Sequence, residues 1–527
     1  MKVLFGQSYY QHFDPKLAEA RRPYPPLGTM IAAAAVRDLG HDVALFDAML
    51  ATSEQEWVRS LDRERPDVAV LFEDNFNYLS KMCLLRMRQA ALTMIGAARE
   101  HDIPVLVCGS DATDNAALFL DAGAEVVMTG EGDATLVELM GRLDRGLEAA
   151  SPDVAGIFHR SASGDVVRTP DRPNIKDLDA LPPPAWDLVD VGAYRRIWLD
   201  AHGHYSVNMV TTRGCPYHCN WCAKPIWGQR YNARSPESVV AEMELLVESV
   251  GPDHIWFADD IFGLKPGWIG RFADLLEERN LRIPFKCLSR PDLLLKGSTI
   301  RDLARAGCET VWIGAESGSQ KVLDAMEKGT TVEQIVEAAD RVHAAGFKIA
   351  FFLQFGYPGE DLDDIEATFA MVRRSGPDDI GMSVSYPLPG TKFHERVSAQ
   401  LGEVRNWVDS DDMAMLFEGP YPTAFYRRLH EVLHMDYRSH RTWQALKRAL
   451  AERNPTAVEP RSVAVMIRDR LRLPLARRAL MSETEGGSPT VTRLRTELDP
   501  AAAAAPSRQP DHDPTPGSGG RGPDVEA

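Results

Sequence analysis

The chain has 527 residues, 44 % of them apolar and 26 % charged, a globular composition with room for two or three domains. Its 59 basic and 76 acidic residues leave a formal charge of −17, which argues against the basic stripe of a nucleic-acid-binding face. The sequence contains no run of about 18 apolar residues to span a membrane.

The N-terminus, Met1-Lys2-Val3-Leu4-Phe5, reads as a short strand and lacks the longer apolar region and cleavage site of a signal peptide. The expected setting is the cytoplasm. Apolar runs follow at Asp42–Phe46, Val68–Phe72, Val105–Cys108 and Glu125–Met128, with helical patterns between them at Gly28–Leu39, Leu79–Arg99 and Thr135–Leu143. Such alternation predicts βαβ units in a doubly wound parallel sheet over residues 1–150, with ligands at the carboxyl ends of its strands. Residues 151–200, including Leu181-Pro182-Pro183-Pro184, read as a linker with one hairpin near Ile157–Val167.

A second alternation predicts strands at Val207–Thr212, Ile255–Ala258, Phe285–Leu288, Thr310–Ala315, Ile349–Phe355 and Gly381–Tyr386. Six βα units over residues 201–395 suggest a partial (β/α)6 barrel of the TIM type, active at its C-terminal strand ends. One helix is sharply signalled: Ser235 as N-cap, Pro236 at the first turn, and an apolar face of Val239, Met243, Leu246, Val247 and Val250. Residues 396–482 read as a helical C-terminal region. Residues 483–527, rich in Ala, Pro, Gly and Ser, cannot offset their ordering entropy and read as a disordered tail. The fold class is therefore α/β.

Seven cysteines in a chain of this size do not suggest a disulfide scaffold. Three fall within eight residues, Cys215-Pro216-Tyr217-His218-Cys219-Asn220-Trp221-Cys222, on a loop that follows a predicted strand. Three thiolates at C-x3-C-x2-C spacing can ligate three irons of a cubane and leave the fourth open. A structural zinc site would need a fourth ligand; no second C-x2-C pair is present, and His218 is awkwardly placed beside Cys219. Cys83, Cys108, Cys287 and Cys308 read as buried small hydrophobes, with Cys287 on a strand that could end at the active face.

The cysteine spacing, with aromatic Trp221 before the last cysteine, resembles the radical S-adenosylmethionine (SAM) superfamily. The resemblance continues through later strand ends: Phe257-Ala258-Asp259-Asp260, Ser289-Arg290-Pro291-Asp292, Gly314-Ala315-Glu316-Ser317-Gly318, Phe355-Gly356-Tyr357-Pro358-Gly359-Glu360 and Tyr386-Pro387-Leu388-Pro389-Gly390. Over roughly residues 1–395 it looks like the subgroup with an N-terminal cobalamin-binding domain. That subgroup includes cobalamin-dependent methyltransferases and the anaerobic magnesium-protoporphyrin monomethyl ester cyclase. The resemblance implies a 4Fe-4S cluster on Cys215, Cys219 and Cys222, with Trp221 packed beside it. It also implies SAM contacts from Asp260, Glu316 and Gln354, and a substrate-facing Tyr386. An Asp or Glu at such a position can equally serve as a cap or turn residue.

In the N-terminal stretch the resemblance places cobalamin near Gly109, Gly130 and Glu131. The cobalamin domains with D-x-H-x-x-G carry a histidine that ligates cobalt. Here Gly28 matches the last glycine, but Pro23 and Pro25 occupy the Asp and His positions, so no axial imidazole is supplied there. The implied activity is methylation of an unactivated carbon or a phosphinate-type centre of a small molecule, with a flavodoxin- or ferredoxin-type electron donor. The competing expectations are a radical SAM cyclase or rearrangement enzyme, and a non-catalytic sensor.

Overall fold

A computed structural model describes residues 1–72, 82–222, 228–402, 406–410, 412–454 and 458–484. Two large sheets organise it. The first has β1 (Lys2–Gly6), β2 (Asp42–Phe46), β3 (Val68–Phe72), β4 (Val105–Cys108), β5 (Val126–Met128), β6 (Ile157–Arg160) and β7 (Val166–Arg168), in the order β2-β1-β3-β4-β5-β6-β7. Strands β1 to β5 are parallel. The side chains of β3 and β4 are apolar on both faces because helices cover both: Val70 and Leu106 pack to one side, Leu71 and Val107 to the other. The strand order reverses between β1 and β3, which makes their carboxyl ends the switch point where ligands of such sheets bind.

The expected hairpin is present, but it is not part of a linker. β6 pairs antiparallel with β5 and β7 with β6, so the first sheet runs on past residue 150. The apolar Ile157 side chain is the reason, since it is fully buried in the core of that sheet.

The second sheet has β8 (Ser206–Met209), β11 (His254–Phe257), β12 (Phe285–Ser289), β13 (Cys308–Glu316), β14 (Lys348–Phe355) and β15 (Asp379–Val384), all parallel, in the order β15-β14-β13-β12-β11-β8. It is the half barrel expected from the sequence. Between β8 and β11 a two-stranded ribbon, β9 (Thr212–Arg213) with β10 (Asn232–Ala233), closes the base of the cysteine loop. The predicted first barrel strand is thus shorter than expected, and its last residues form this ribbon.

The helix Pro236–Ser249 begins as the sequence predicts: the Ser235 hydroxyl accepts a hydrogen bond from the Ser238 amide. Its buried face differs at three positions. Val247 is 42 % exposed, while Val240 and Glu242 are buried, the latter paired with Arg234. The C-terminal region consists of two helices, Thr423–Ala451 and Pro460–Ser482, packed against each other. Arg477 reaches from the second to Glu366 and Asp436. Among the described residues no helix is long and apolar enough to cross a membrane. The expected tail beyond residue 484 lies outside the described residues, as does Leu79; the helix expected from there begins only at Leu85, after residues 82–84, which are not helical.

Candidate functional site

The cysteine loop leaves β9 through Gly214, at φ +83°, where a side chain would overlap the carbonyl oxygen of Arg230. Glycine is required there on both counts. Cys215 and Cys219 are buried and Cys222 is half-buried. Cys215 lies among Ile261 and Leu293, with Tyr217 and Leu264 against it.

Asn220 pins the middle of the loop. Its amide nitrogen donates to the Ala325 carbonyl at 2.8 Å, its side-chain oxygen accepts from the Tyr357 hydroxyl at 2.9 Å, and its backbone N–H donates to Met326 at 3.1 Å. The sequence reading gave Asn220 no role, because its partners lie more than a hundred residues away in the chain.

Cations face the thiols. Arg290 Nη1 is 3.8 Å from Cys219 Sγ, and the guanidinium lies over the Tyr217 ring at 3.8 Å. Arg290 is held by Asp292 at 2.9 Å and by the Lys328 carbonyl at 2.8 Å. Lys328 Nζ meets Glu316 Oε1 at 2.6 Å, and both side chains are buried. Burial alone would pull the Lys328 amine down; the negative charges of Glu316 and Cys219 outweigh it and hold the amine above its ordinary value. Trp221 lies beneath that amine, 5.9 Å from ring centre to Nζ.

Glu316 carries φ +58°, a left-handed backbone unusual for glutamate, at a register shift between β13 and β14. The strained backbone and the buried pair explain Gly314. Any side chain there would overlap both Glu316 Oε1 and Lys328 Nζ.

Of the two aspartates ending β11, the sequence singled out Asp260, which is half-buried. The buried one is Asp259, which accepts hydrogen bonds from the Thr211 amide (2.7 Å), the Thr211 hydroxyl (2.6 Å) and the Thr212 amide (2.9 Å). Burial pushes its carboxyl up to about 6 against the pull of those bonds. Asp259 therefore fixes the approach to the cysteine loop. Gln354 is buried at the end of β14 and donates to the Ser385 hydroxyl at 3.1 Å. Tyr386 is buried just past β15, edge-on to Trp407 with ring centres 5.1 Å apart. Cys287 is fully buried on β12, 4.0 Å from Cys308 Sγ.

At the first sheet, Gly109 (φ +157°) follows β4, and Gly130 (φ +68°) and Gly132 (φ +78°) follow β5. A side chain on Gly132 would overlap Cys108 Sγ, whereas nothing lies within 4 Å of where one on Gly130 would stand. The Glu131 carboxylate is engaged within the protein: it accepts from Asn174 (3.1 Å), the Ile175 amide (3.0 Å) and Arg213 (3.3 Å). Arg213 also grips Asp133 with both nitrogens, at 2.9 and 3.2 Å. Sequence reasoning missed Arg213, which connects the carboxyl edge of the first sheet to the base of the cysteine loop.

The segment standing where an axial histidine would be is turned toward the half barrel. The Pro23 carbonyl accepts from Trp198 Nε1 at 2.8 Å, and the Pro25 carbonyl from Asn208 Nδ2 at 3.1 Å.

The residues present suit the groups that the resemblance implies. The cysteine loop offers three thiols with cations beside them. Among the described residues no three His, Cys, Asp or Glu side chains form the cage of a single ion. In a cubane each thiolate takes a different iron, so the three stand farther apart than around one ion. Past β1, Gln7 is fully buried with its Nε2 unpartnered among the described residues, and the space over Gly130 is open. An orphaned buried donor beside open strand ends fits a large polar ligand.

Comparison with known proteins agrees. Residues 209–372 match the radical SAM superfamily and residues 16–140 match the B12 binding domain. The chain is 26 % identical over 390 residues to an uncharacterised methyltransferase of Pyrococcus horikoshii, covering 73 % of this chain and 81 % of that protein. It is 25 % identical over 435 residues to the hopanoid C-3 methylase of Methylococcus capsulatus, covering 81 % and 79 %. The solved structure of the cobalamin-dependent SAM radical enzyme OxsB with aqua-cobalamin bound superposes with a TM-score of 0.66 at 16 % identity, over 92 % of this chain and 80 % of that one. The chain therefore carries both a B12-binding domain and, after it, a radical SAM domain built on the half barrel.

Proposed function

We propose that this enzyme is a cobalamin-dependent radical SAM methyltransferase acting on an unactivated carbon or phosphinate-type centre of a small molecule. One observation carries the reading: Arg213, two residues before Cys215, is clamped to Asp133 at the carboxyl edge of the B12 domain. The carboxyl edge of the first sheet thereby adjoins the base of the cysteine loop. The relatives named as methyltransferase and methylase support methyl transfer.

Cys215, Cys219 and Cys222 would hold the cluster, and Gly109, Gly130 and Gln7 would border the corrinoid. When bound, the cluster with SAM supplies hydrogen abstraction and cobalamin supplies a methyl group. The protein's own work is placement. Arg290 and Lys328 present positive charge to the thiolates. Trp221 packs beside them, and Asn220 fixes the loop. Glu316 orients the Lys328 amine, and Asp259 sets where the loop leaves the barrel. Asp260 and Gln354 stand at the rim for SAM, with Tyr386 toward the substrate. The reading carries with it a flavodoxin- or ferredoxin-type electron donor and a cytoplasmic setting.

The test is anaerobic purification from cells supplied with cobalamin, followed by iron, sulfide and corrinoid analysis and product mass. About four irons and one corrinoid per chain, with S-adenosylhomocysteine formed, are expected. Iron without corrinoid, or a product of unchanged methyl count, would replace methyl transfer by cyclase-type chemistry.

A further inference from the structure

The half barrel has two unlike faces. On β12, Phe285 and Cys287 are fully buried while Lys286 and Leu288 are half-buried; on β13, Val311 and Ile313 are buried while Trp312 is not. The alternation is that of strands with helices on one side and an accessible lumen on the other. The lumen is aromatic. Trp312 and Phe352 stack with ring centres 4.6 Å apart and 25° between planes. Gly381 leaves their edge clear, since a side chain there would come within 3.4 Å of Phe352 and 3.6 Å of Trp312.

At the floor of this lumen lies Lys286; Lys348, on the same row, is exposed. Lys286 is in register with Trp256 on β11 and Thr310 on β13. Its Nζ stands 4.9 Å from the centre of the Trp256 ring and 5.7 Å from that of Tyr24, which reaches in from the B12 domain. The charged groups around it are Arg22, Asp379 and Glu309. Glu309 is taken by Lys348 at 3.1 Å, and Lys286 makes no ion pair among the described residues. Burial, with Arg22 adding to it, pulls the amine down to about 7. An amine so placed is stabilised by an incoming anion.

We propose that this lumen binds an elongated, flat, apolar small molecule whose carboxylate or phosphate seats on Lys286 while its rings lie against Trp312 and Phe352. The register supplies a ruler. From Thr310, level with Lys286, to Gly314 is four residues, or about 13 Å of strand. The anion therefore sits about that far from the end of the ligand that reaches the rim at Glu316 and Gln354. Placing the reactive end at the rim rests on the radical SAM reading; the binding itself does not.

The experiment uses the iron-loaded, anaerobically purified full chain and two probes that differ only in charge, 1-pyrenebutyrate and 1-pyrenebutanol. Binding is read by energy transfer from tryptophan. The carboxylate is expected to bind about tenfold more tightly than the alcohol. Lys286→Met should abolish that difference and Lys286→Arg should keep most of it. Trp312→Ala should weaken both probes. Competition by 2-naphthoate and by 1-naphthyl phosphate tells which anion is preferred. Equal binding of the two probes, discrimination that survives in Lys286→Met with an unchanged far-ultraviolet spectrum, or full binding in Trp312→Ala would each overturn the proposal. Iron content and 5′-deoxyadenosine formation, measured in parallel, report on the radical SAM reading separately.

Discussion

Arg213 and Asp133 form a two-pronged ion pair, Nη1 to Oδ2 at 2.9 Å and Nη2 to Oδ1 at 3.2 Å, with both side chains less than 10 % exposed. Arg213 opens the cysteine loop, and Asp133 begins the helix Asp133–Leu143 of the B12 domain. Removing one partner of a buried pair leaves the other charge stranded. Asp133→Ala should cost about 3 kcal/mol of stability in denaturant unfolding. It should also lower corrinoid retention relative to iron retention. Unchanged retention of both would mean that the pair is only structural.

Cys219→Ala should leave the protein folded, because a small buried side chain replaces another and the Asn220 anchors remain. Iron binding and SAM cleavage should both be lost. Anaerobic iron analysis with a 5′-deoxyadenosine assay checks this; continued cleavage would remove Cys219 from the cluster ligands.

Gly314→Ala tests the Glu316–Lys328 pair from beneath. The added methyl must displace both ends of the pair, and the expected cost is about 2 kcal/mol with at least a tenfold fall in SAM turnover. Gly318→Ala is the harsher control. Its methyl would overlap the Ala367 carbonyl and crowd backbone that cannot yield, so folded protein should be lost outright. Thermal unfolding and soluble yield separate the two.

Glu360 sets a pH dependence. It is buried beside Gly356, whose amide donates to it at 2.6 Å. Burial pushes its carboxyl up from 4.5 to about 8. The native state therefore keeps a proton that the unfolded chain has lost between these values. The stabilisation from that proton is complete below the unfolded value and disappears as pH rises through about 8. Glu360→Gln should thus be more stable than the parent at the alkaline end by a few kcal/mol, and the gap should close on acidification. Urea midpoints across the window give the answer; a gap independent of pH would show that the carboxyl ionises normally.

Much of this was legible in the sequence. Asp42–Phe46, Val68–Phe72 and Val105–Cys108 are strands with the predicted bounds; the last two are buried throughout, and a parallel strand covered on both faces is written as an unbroken apolar run. The cap at Ser235 was legible because it is local. What sequence could not supply was pairing at a distance. Arg290 was visible only as part of a strand-end motif, and nothing in its neighbourhood says that it approaches Cys219, 71 residues earlier. Asp260 drew attention over Asp259 because both end the same strand; which of them turns inward is decided by where Thr211 lies. Val247 matched the helical period and still faces outward, since it sits at the margin of a stripe that Val240 and Glu242 share.

The segment Pro23–Pro25 bears on how the molecule is assembled. β8 is an edge strand of the half barrel, and an open edge invites mispairing. Tyr24 reaches its Ser206 hydroxyl at 3.1 Å, and the Pro25 carbonyl holds Asn208, a partner 183 residues further along the chain. During synthesis the first sheet is complete before β8 leaves the ribosome, and domains generally fold in that order. In that order the proline arm is in place before β8 reaches it, and it lies along an edge where another strand could otherwise pair.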